Sequence, residues 1–278
     1  MRRRLDAELV SRGLATSRGH AQELIAARRV TVGGAHALKA SRQVSSGEPI
    51  VVSGPPPRFV GRAGWKLEGA FEQFALAADR KHCIDAGSST GGFTDCMLQH
   101  GAASVVAVDV GTNQLHEKLR GRDRVIVMEN RNIRSVSLAD FEPDPERRDG
   151  FDLLVSDLSF TSTTAMLEHF ATLVAPDGDL MVLVKPQFEA GRIEVSRGKG
   201  IISDPDVWIS VLHEFIDRAF AIGLAVIDLG LSPIVGGKGN VEFLAHLQHA
   251  AHFTSSAPSV SGSDRKDDES QKYTDRAE

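Results

Sequence analysis

Five polar residues follow successive apolar segments of the chain, each at a point where a strand is predicted to end. They are Asp85, Asp109, Asn130, Asp157 and Lys185. Because the strand ends of a doubly wound sheet meet in one crevice, we expect these side chains to line a single ligand site. One polar residue at a strand end is commonplace in proteins. Five in register favour a functional site over an ordinary sheet edge.

The first of these residues opens a loop of small residues between a predicted strand and a predicted helix. Residues 83–95 have the sequence CIDAGSSTGGFTD. The glycines allow positive φ angles and let a ligand lie close against the backbone. Their spacing, G-x-x-x-G-G, differs from the G-x-G-x-x-G of dinucleotide-binding folds, which argues against a dinucleotide oxidoreductase. Taken alone, this motif also fits a plain strand-to-helix turn.

The charge of Asp85 narrows the choice of ligand. A carboxylate there repels phosphate, so S-adenosylmethionine, with its ammonium, sulfonium and ribose, fits better than a pyrophosphate. Asp109 follows 24 positions later, close to the spacing at which an acid reaches a ribose hydroxyl pair. Asn130 is expected near the adenine or its ribose. The residues that we assign to this cofactor are Asp85, Gly87, Ser88, Ser89, Gly91, Gly92, Phe93, Asp109, Asn130, Asp157 and Phe160.

Strands and helices that must position these residues alternate along the chain. Beyond the glycine loop, strands are predicted over residues 104–108, 124–128, 151–156, 179–184, 224–231 and 241–246, with a helix over 206–222. Continuous apolar strands that alternate with helices indicate a mostly parallel sheet covered on both faces. A further amphipathic helix is expected after Arg62, with Trp65 in the core. The predicted fold class is therefore α/β.

The first sixty residues, here called the lobe, form a separate basic module. Residues 1–62 carry 11 Lys or Arg and four Asp or Glu, a net charge of +7, whereas residues 63–253 carry a net charge of −10. Helical spacing over 5–10 and 21–27, with strands over 30–32 and 49–52, predicts a small α+β domain. This asymmetry favours contact between the lobe and a polyanion over a merely solvated basic face.

The lobe resembles the RNA-binding domain first seen in ribosomal protein S-four. The matching residues are Arg3-Leu5-Asp6, Leu9-Val10, Arg12-Gly13-Leu14-Ala15-Ser17-Arg18, Ala21, Ile25, Val30-Val32-Gly33-Gly34 and Lys39. The resemblance implies docking on structured RNA by shape and phosphate contacts rather than by sequence. We assign Arg4, Arg18 and Arg28 to RNA contact.

The rest of the chain resembles the class I (Rossmann-like) methyltransferases, which use S-adenosylmethionine, and among them the FtsJ-type ribose 2′-O-methyltransferases. That resemblance maps a Lys-Asp-Lys-Glu catalytic set onto Lys66, Asp157, Lys185 and Glu242. It implies that Lys185 is the general base, positioned by Asp157. Lys66 and Glu242 are then expected to orient the base and the hydroxyl group. Glu189, close to Lys185 in sequence, is the alternative to Glu242. No metal is required.

The whole arrangement resembles the TlyA (hemolysin A) family over about residues 2–250. The resemblance implies 2′-O-methylation of cytidine in 16S and 23S ribosomal RNA, with the 30S and 50S subunits as partners. Loss of family members confers resistance to capreomycin and viomycin. The implied domains are an RNA-binding domain over 1–60, a linker over 61–66 and a methyltransferase domain over 67–250. A pore-forming hemolysin and a non-catalytic ribosome-binding factor are the alternatives.

Composition limits the remaining classes of function. Only Cys83 and Cys96 are present, which excludes a disulfide framework and predicts two buried thiols. No apolar run approaches the ~20 residues that span a bilayer, so we expect a cytoplasmic monomer without a membrane partner. Ten histidines show no convincing metal-ligand spacing. Residues 251–278 are predicted to be disordered, and residues 191–200 to form a substrate loop or a solvated connection.

Overall fold

The computed structural model describes residues 2–15, 18–55, 57–141, 149–191, 198, 200–236 and 238–251. Residues 252–278 of the tail that we predict to be disordered lie outside this part of the chain. The same holds for residues 192–197 and 199 of the predicted substrate loop.

The lobe is a small α+β module, as predicted. Its helices are α1 (Leu5–Ser11) and α2 (Arg18–Ala26), and its strands are β1 (Arg2–Arg4), β2 (Val30–Val32), β3 (Ala35–His36), β4 (Gln43–Ser45) and β5 (Ile50–Val52). β2 lies between β3 and β5, while β1 pairs with β4. Leu5, Leu9, Leu24 and Ile25 bring the apolar faces of the two helices into a core of their own.

The remainder of the chain, here called the body, is built on one seven-stranded sheet. The strands are β6 (His82–Ala86), β7 (Ser104–Val108), β8 (Val125–Met128), β9 (Phe151–Ser156), β10 (Val174–Val184), β11 (Leu224–Leu231) and β12 (Phe243–His249). Their order across the sheet is β11-β12-β10-β9-β6-β7-β8. β12 pairs antiparallel with both of its neighbours, and the other described pairings of this sheet are parallel. The predicted mostly parallel sheet is confirmed.

Helices and buried side chains cover both faces of this sheet. The helices are α3 (Gly64–Gln73), α4 (Gly92–Gln99), α5 (Leu167–Ala171), α6 (Pro186–Glu189) and α7 (Pro205–Ala221). Successive strand residues enter different cores, with Cys83 in one and Ile84 in the other. Both cysteines are buried and free, as predicted.

Several features of the fold differ from the sequence prediction. The short strands β1, β3 and β4 of the lobe were not predicted, and β12 begins at Phe243 rather than at residue 241. β7 and β8 are joined by turns over residues 109–124 rather than by a helix. β10 begins at Val174, five residues before the predicted start, because its first part pairs with β9 ahead of an irregularity in the register. Trp65 is not in the core: it is 45% exposed and packs edge-on against Phe59, with ring centroids 5.2 Å apart.

A topological switch point lies between β6 and β9. From β6 the chain proceeds outwards to β7 and β8, then returns to the other side of β6 to form β9. Ligands of open α/β sheets bind at such a point, beyond the carboxyl ends of the strands. Asp85 and Asp157 lie at the ends of β6 and β9, so both face this crevice.

Close packing of glycines brings α3 over the same crevice. A Cβ on Gly92 would lie 2.8 Å from the backbone nitrogen of Gly64, so the first turns of α3 and α4 can touch only because glycine occupies the position. Gly91, directly before α4, has φ +92°, a conformation that glycine adopts without strain. The glycine loop therefore also fixes the helix that carries Lys66.

Candidate active site

A cavity of about 910 Å³ opens at the carboxyl ends of β6, β9 and β10. It gathers most of the residues that the sequence nominated. The predicted residues that line it are Lys66, Asp85, Gly87, Ser88, Ser89, Gly92, Phe93, Asp157, Phe160, Lys185 and Glu242. These residues come from three strand ends, two helices and the segment before β12, so the fold converts scattered sequence positions into one site.

Four charged side chains form a connected chain of ion pairs in this cavity. Lys185 Nζ lies 2.5 Å from Asp157 Oδ1, and Lys66 Nζ lies 3.0 Å from Asp157 Oδ2. Lys66 Nζ also lies 2.7 Å from Glu242 Oε2. Lys185 Nζ donates a further hydrogen bond of 2.6 Å to the carbonyl oxygen of Leu158. Asp157 therefore holds both lysine ammonium groups, and Glu242 closes the chain.

Sheet register explains why Glu242 meets these residues from 57 positions beyond Lys185. Val184, the last residue of β10, pairs with Phe243, the first residue of β12. Because β12 is antiparallel, its beginning lies at the edge where the parallel strands end. Lys185 and Glu242 are the next residues outward on each strand, so they come to the same side of the sheet.

Burial makes these charges depend on one another. Lys66 is 6% exposed and Lys185 is 3% exposed. Burial disfavours the ammonium of Lys66, but Asp157 and Glu242 outweigh this effect and raise its pKa above the usual value. Burial likewise works against the carboxylate of Asp157, and the two lysines outweigh it and hold the pKa of Asp157 below its usual value. Lys66 is therefore a fixed cation at neutral pH.

Asp85 is a buried carboxylate that lacks a full set of partners. Its Oδ2 accepts hydrogen bonds from the backbone nitrogen and the hydroxyl of Thr94, at 3.0 and 2.6 Å. Its Oδ1 is buried without a hydrogen-bond partner in the described part of the chain. Burial raises the pKa of Asp85 to about 7. A cationic or amino group of a ligand would supply the missing partner and stabilise the charged form.

Comparison with known proteins agrees with this geometry. The family model for FtsJ-like methyltransferases matches residues 59–249, and the model for the S4 domain matches residues 3–50. The chain belongs to the FtsJ-like methyltransferases. The S4 match confirms the predicted type of RNA-binding module in the lobe. The FtsJ-like match confirms the class I fold and identifies an S-adenosylmethionine-dependent enzyme.

Named relatives cover most of the chain. A candidate rRNA methyltransferase, YqxC of Bacillus subtilis, is 46% identical over 88% of this chain and 85% of its own length. The 16S/23S rRNA (cytidine-2′-O)-methyltransferase TlyA of Mycobacterium tuberculosis is 42% identical over 89% of this chain and 90% of its own. A solved structure of a candidate hemolysin from Streptococcus thermophilus superposes with a TM-score of 0.71, at 39% identity, and covers 89% of this chain and 88% of its own. The predicted TlyA relationship is confirmed. The FtsJ-like match and the relatives named as rRNA methyltransferases favour the methyltransferase prediction over the pore-forming and non-catalytic alternatives.

Residues of this FtsJ-like site fit S-adenosylmethionine. The unpaired Oδ1 of Asp85 can accept from the ammonium group of the ligand, and the glycine loop leaves room beside the backbone. When bound, S-adenosylmethionine supplies a methyl group on a positively charged sulfur, which makes that methyl an electrophile. Asp157 lies next along the sheet edge, so the cofactor loop directly adjoins the two lysines.

Three of the residues assigned to the cofactor lie outside the cavity lining. Asp109 accepts from the backbone nitrogens of Ser89 and Gly111, at 2.8 and 2.6 Å, so both of its oxygens hold loops together. Asn130 is exposed beside it and donates from its backbone nitrogen to Gly111. Gly91 packs inward, where a Cβ would lie 2.4 Å from a methyl of Leu119. Their roles in cofactor binding stay predictions.

The two candidates for the second carboxylate are separated by geometry. Glu189 accepts from the hydroxyl of Ser162 and the backbone nitrogen of Thr163, both at 2.6 Å, and so caps the 3-10 turn over Thr164–Met166. Glu242, not Glu189, lies against Lys66.

The sequence did not nominate several cavity residues, and only their places beside Lys66, the glycine loop and Lys185 could have pointed to them. They are Gly61, Arg62, Ala63, Thr90, Ser159, Gln187, Phe188, Ala190, Lys238 and Asn240. Gly200 also lines the cavity and belongs to residues 191–200, which were predicted to be a substrate loop or a solvated connection.

The lobe arginines assigned to RNA differ in their surroundings. Arg4 and Arg18 both pair with the buried carboxylate of Asp6, at 2.9 and 3.0 Å. Hydrogen bonds from these arginines outweigh burial and hold the pKa of Asp6 well below its usual range. Arg28 is exposed, and no ion pair to it occurs among the described residues. Its RNA contact, like that of Arg4 and Arg18, stays a prediction.

Two further observations concern metal ions and membranes. Glu68, Cys96 and His100 lie close enough to share a metal ion, but Glu68 already pairs with Arg58 and His100, each at 2.7 Å. These contacts account for the cluster without a metal. No helix in the described part of the chain is long and apolar enough to cross a bilayer.

Proposed function

We propose that this protein transfers a methyl group from S-adenosylmethionine to the ribose 2′-hydroxyl of a cytidine in ribosomal RNA. The observation that carries the proposal is the ion-pair chain of Lys185, Asp157, Lys66 and Glu242 beside the cofactor loop. A ribose hydroxyl is a weak nucleophile, so its methylation needs close positioning and an acceptor for its proton. The relatives named as cytidine-2′-O-methyltransferases support the choice of nucleotide.

Each charged residue has a distinct part in this proposal. Lys185, an ammonium paired with Asp157 in the ligand-free site, first releases a proton to solvent. Its neutral amine then accepts the proton of the 2′-hydroxyl as the methyl group passes from the sulfur to the oxygen. Asp157 bridges the two lysines and holds Lys185 Nζ at the cavity floor. Lys66 stays protonated and offsets the negative charges of Asp157 and Glu242. The hydroxyl oxygen therefore enters a site whose charges are already in place. Glu242 holds Lys66 from the far side.

The lobe supplies binding rather than chemistry in this proposal. The net charge of +7 on residues 1–62 attracts the RNA phosphates that residues 63–253, with a net charge of −10, repel. We propose that the substrates are the 30S and 50S ribosomal subunits, and that the protein acts on them in the cytoplasm as a monomer. The domain limits 1–60, 61–66 and 67–250 stay part of the proposal.

A methyl-transfer assay tests the proposed reaction. Purified 30S and 50S subunits that lack the modification are incubated separately with the protein and radiolabelled S-adenosylmethionine, and the labelled nucleotide is mapped. We expect 2′-O-methylcytidine on one or both subunits. Label on neither particle, from a protein that binds S-adenosylmethionine, would refute the 30S and 50S subunits as substrates and shift the target to a precursor particle or another RNA. Absence of cofactor binding would refute the methyltransferase reaction itself.

A further inference from the structure

Gln187 is a cavity residue to which the proposed reaction gives no part. It lies in α6, the single helical turn that directly follows Lys185. Pro186 occupies the first helical position, and the backbone nitrogen of Phe188 donates to the carbonyl oxygen of Lys185 at 2.8 Å. This tight turn fixes Gln187 relative to Lys185.

The two ends of the Gln187 amide have different surroundings. Nε2 donates to Glu242 Oε1 at 3.3 Å. Oε1 is buried and has no hydrogen-bond partner in the described part of the chain. Rotating the amide by 180° would place an acceptor against the carboxylate of Glu242, so Glu242 fixes the orientation of the amide. A buried acceptor without a donor is unfavourable, which indicates that a ligand completes it.

The position of Gln187 along the sheet edge indicates which ligand can donate a hydrogen bond to its Oε1. From β6 to β12 the edge carries the glycine loop, then Asp157, then Lys185 with Gln187, then Glu242. Gln187 contacts Glu242, so it lies towards the end of this row that is farther from the cofactor loop. A group that reaches Gln187 belongs to the methyl acceptor, which is the RNA nucleotide.

Few hydrogen-bond donors remain on a nucleotide inside an RNA chain. The 2′-hydroxyl has one proton, which Lys185 accepts in the proposed reaction. The other donors are N–H groups of the base. Cytosine presents an exocyclic amino donor beside a ring-nitrogen acceptor, whereas uracil presents an oxo acceptor beside an N–H donor. A Gln amide held by Glu242 matches the amino group of cytosine and opposes the oxo group of uracil.

We propose that Gln187 recognises the exocyclic amino group of the target cytidine through Oε1, and that Glu242 enforces this choice by fixing the amide. The inference rests on the proposed function, because it takes a cytidine ribose as the methyl acceptor. Gln187 is then the residue that separates cytidine from uridine. Adenine also carries an amino group beside a ring acceptor, so the proposed contact separates cytidine from uridine and not from adenosine.

The test compares two substrates and three proteins. Ribosomal subunits are prepared with the natural cytidine, or with uridine in its place, at the mapped position. Methyl transfer is measured for the wild-type chain, for Gln187→Met, which keeps the length but removes the acceptor, and for Gln99→Met. Gln99 is a matched control because it is an exposed glutamine that donates to the carbonyl oxygen of Arg58, away from the cavity.

Discrimination between the two substrates is the decisive quantity. We expect the wild type and Gln99→Met to favour cytidine by about 100-fold or more in kcat/KM, because the oxo group of uracil would face Gln187 Oε1 at the place where the amino group of cytosine donates. Gln187→Met should lose about 10- to 100-fold on cytidine, and its preference should fall to within about fivefold. Affinity for S-adenosylmethionine, measured by calorimetry, should not change.

Two results would overturn the inference without touching the proposed function. One is a wild type that methylates both particles equally well. The other is a Gln187→Met variant that slows on both particles by the same factor, since this indicates that Gln187 merely supports Glu242. Failure of the proposed function looks different, because the wild type would then label neither particle.

Discussion

Lys185 in the cavity and Arg28 on the lobe both carry a positive charge, but the protein surrounds them differently. Lys185 is 3% exposed and depends on Asp157, which also holds Lys66. Arg28 is exposed to solvent. In the cavity, removal of one charge leaves its partner buried and uncompensated, whereas a surface charge is screened by water and salt. Substitutions should therefore abolish function in the cavity and only reduce it on the lobe.

The largest effect is expected for Lys185→Ala. Without the proton acceptor, methyl transfer to the mapped cytidine should fall by about 10²- to 10⁴-fold. Binding of S-adenosylmethionine and of ribosomal subunits should persist, because Asp157 keeps its pair with Lys66. Single-turnover rates and calorimetric titrations measure the two properties separately.

Lys81→Ala is the matched control for this variant. Lys81 also pairs with a carboxylate, Asp179, at 2.6 Å, but it lies before β6 at the opposite edge of the sheet. This variant should keep wild-type rates. A Lys185→Ala protein as fast as Lys81→Ala would exclude Lys185 as the base.

Removal of the lobe should have the next largest effect. The cores of the body contain no residue before Phe59, so a chain that begins at Arg58 keeps both of them. Because the body alone repels phosphate, its kcat/KM for subunits should fall by about 100-fold or more, with unchanged cofactor affinity. Full-rate methylation by the shortened chain would mean that the body recognises RNA without the lobe.

Asp85→Asn should raise the stability of the ligand-free protein and weaken its binding of S-adenosylmethionine. The pKa of Asp85 is raised to about 7 in the folded protein, above its unfolded value near 3.8. A raised carboxyl pKa contributes stability below the unfolded value, and this contribution is lost as the pH rises towards 7. In the ligand-free protein, Asp85→Asn should therefore increase stability at pH 8, by about 3 kcal/mol, with a smaller gain at pH 5.

The same variant should bind S-adenosylmethionine more weakly by about 10- to 100-fold, because it lacks the carboxylate that pairs with the ligand cation. Thermal unfolding at the two pH values and calorimetry with the cofactor give both results. Equal gains in Tm at pH 5 and pH 8 would show that Asp85 is ionised across this range.

Strong local patterns in the sequence predicted the residues that begin or end the main strands. β7, β9 and β11 have the predicted bounds, because each is rich in apolar residues and is followed by a polar residue. Asp85, Asp157 and Lys185 were predicted from the ends of β6, β9 and β10. β3 has two residues, and strands of this length show no alternation, so the pattern missed it.

Long-range geometry was not predictable from local pattern. Glu242 meets Lys66 because β12 runs antiparallel, a property that no nearby residue encodes, and only the family resemblance nominated it. Gln187 was missed because a glutamine after a strand usually faces solvent. Its unpaired oxygen is visible only in the folded protein. Trp65 was misplaced because apolar periodicity cannot tell which face of α3 meets the lobe-side segment at Phe59.

The smallest effect is expected on the lobe, for Arg28→Gln. The guanidinium of Arg28 is exposed, so its loss should weaken binding to ribosomal subunits by about 3- to 10-fold and reduce the salt dependence by about one ion. Stability should change by less than about 0.5 kcal/mol. Arg28→Lys retains the charge and should bind like the wild type.

Arg18→Gln provides the contrast, since it also removes a partner of the buried Asp6 and should lower the Tm. If Arg28→Gln and Arg18→Gln lowered stability equally, the distinction between the exposed arginine and the paired one would fail. If neither altered subunit binding, the RNA-contacting surface would have to lie elsewhere on the lobe.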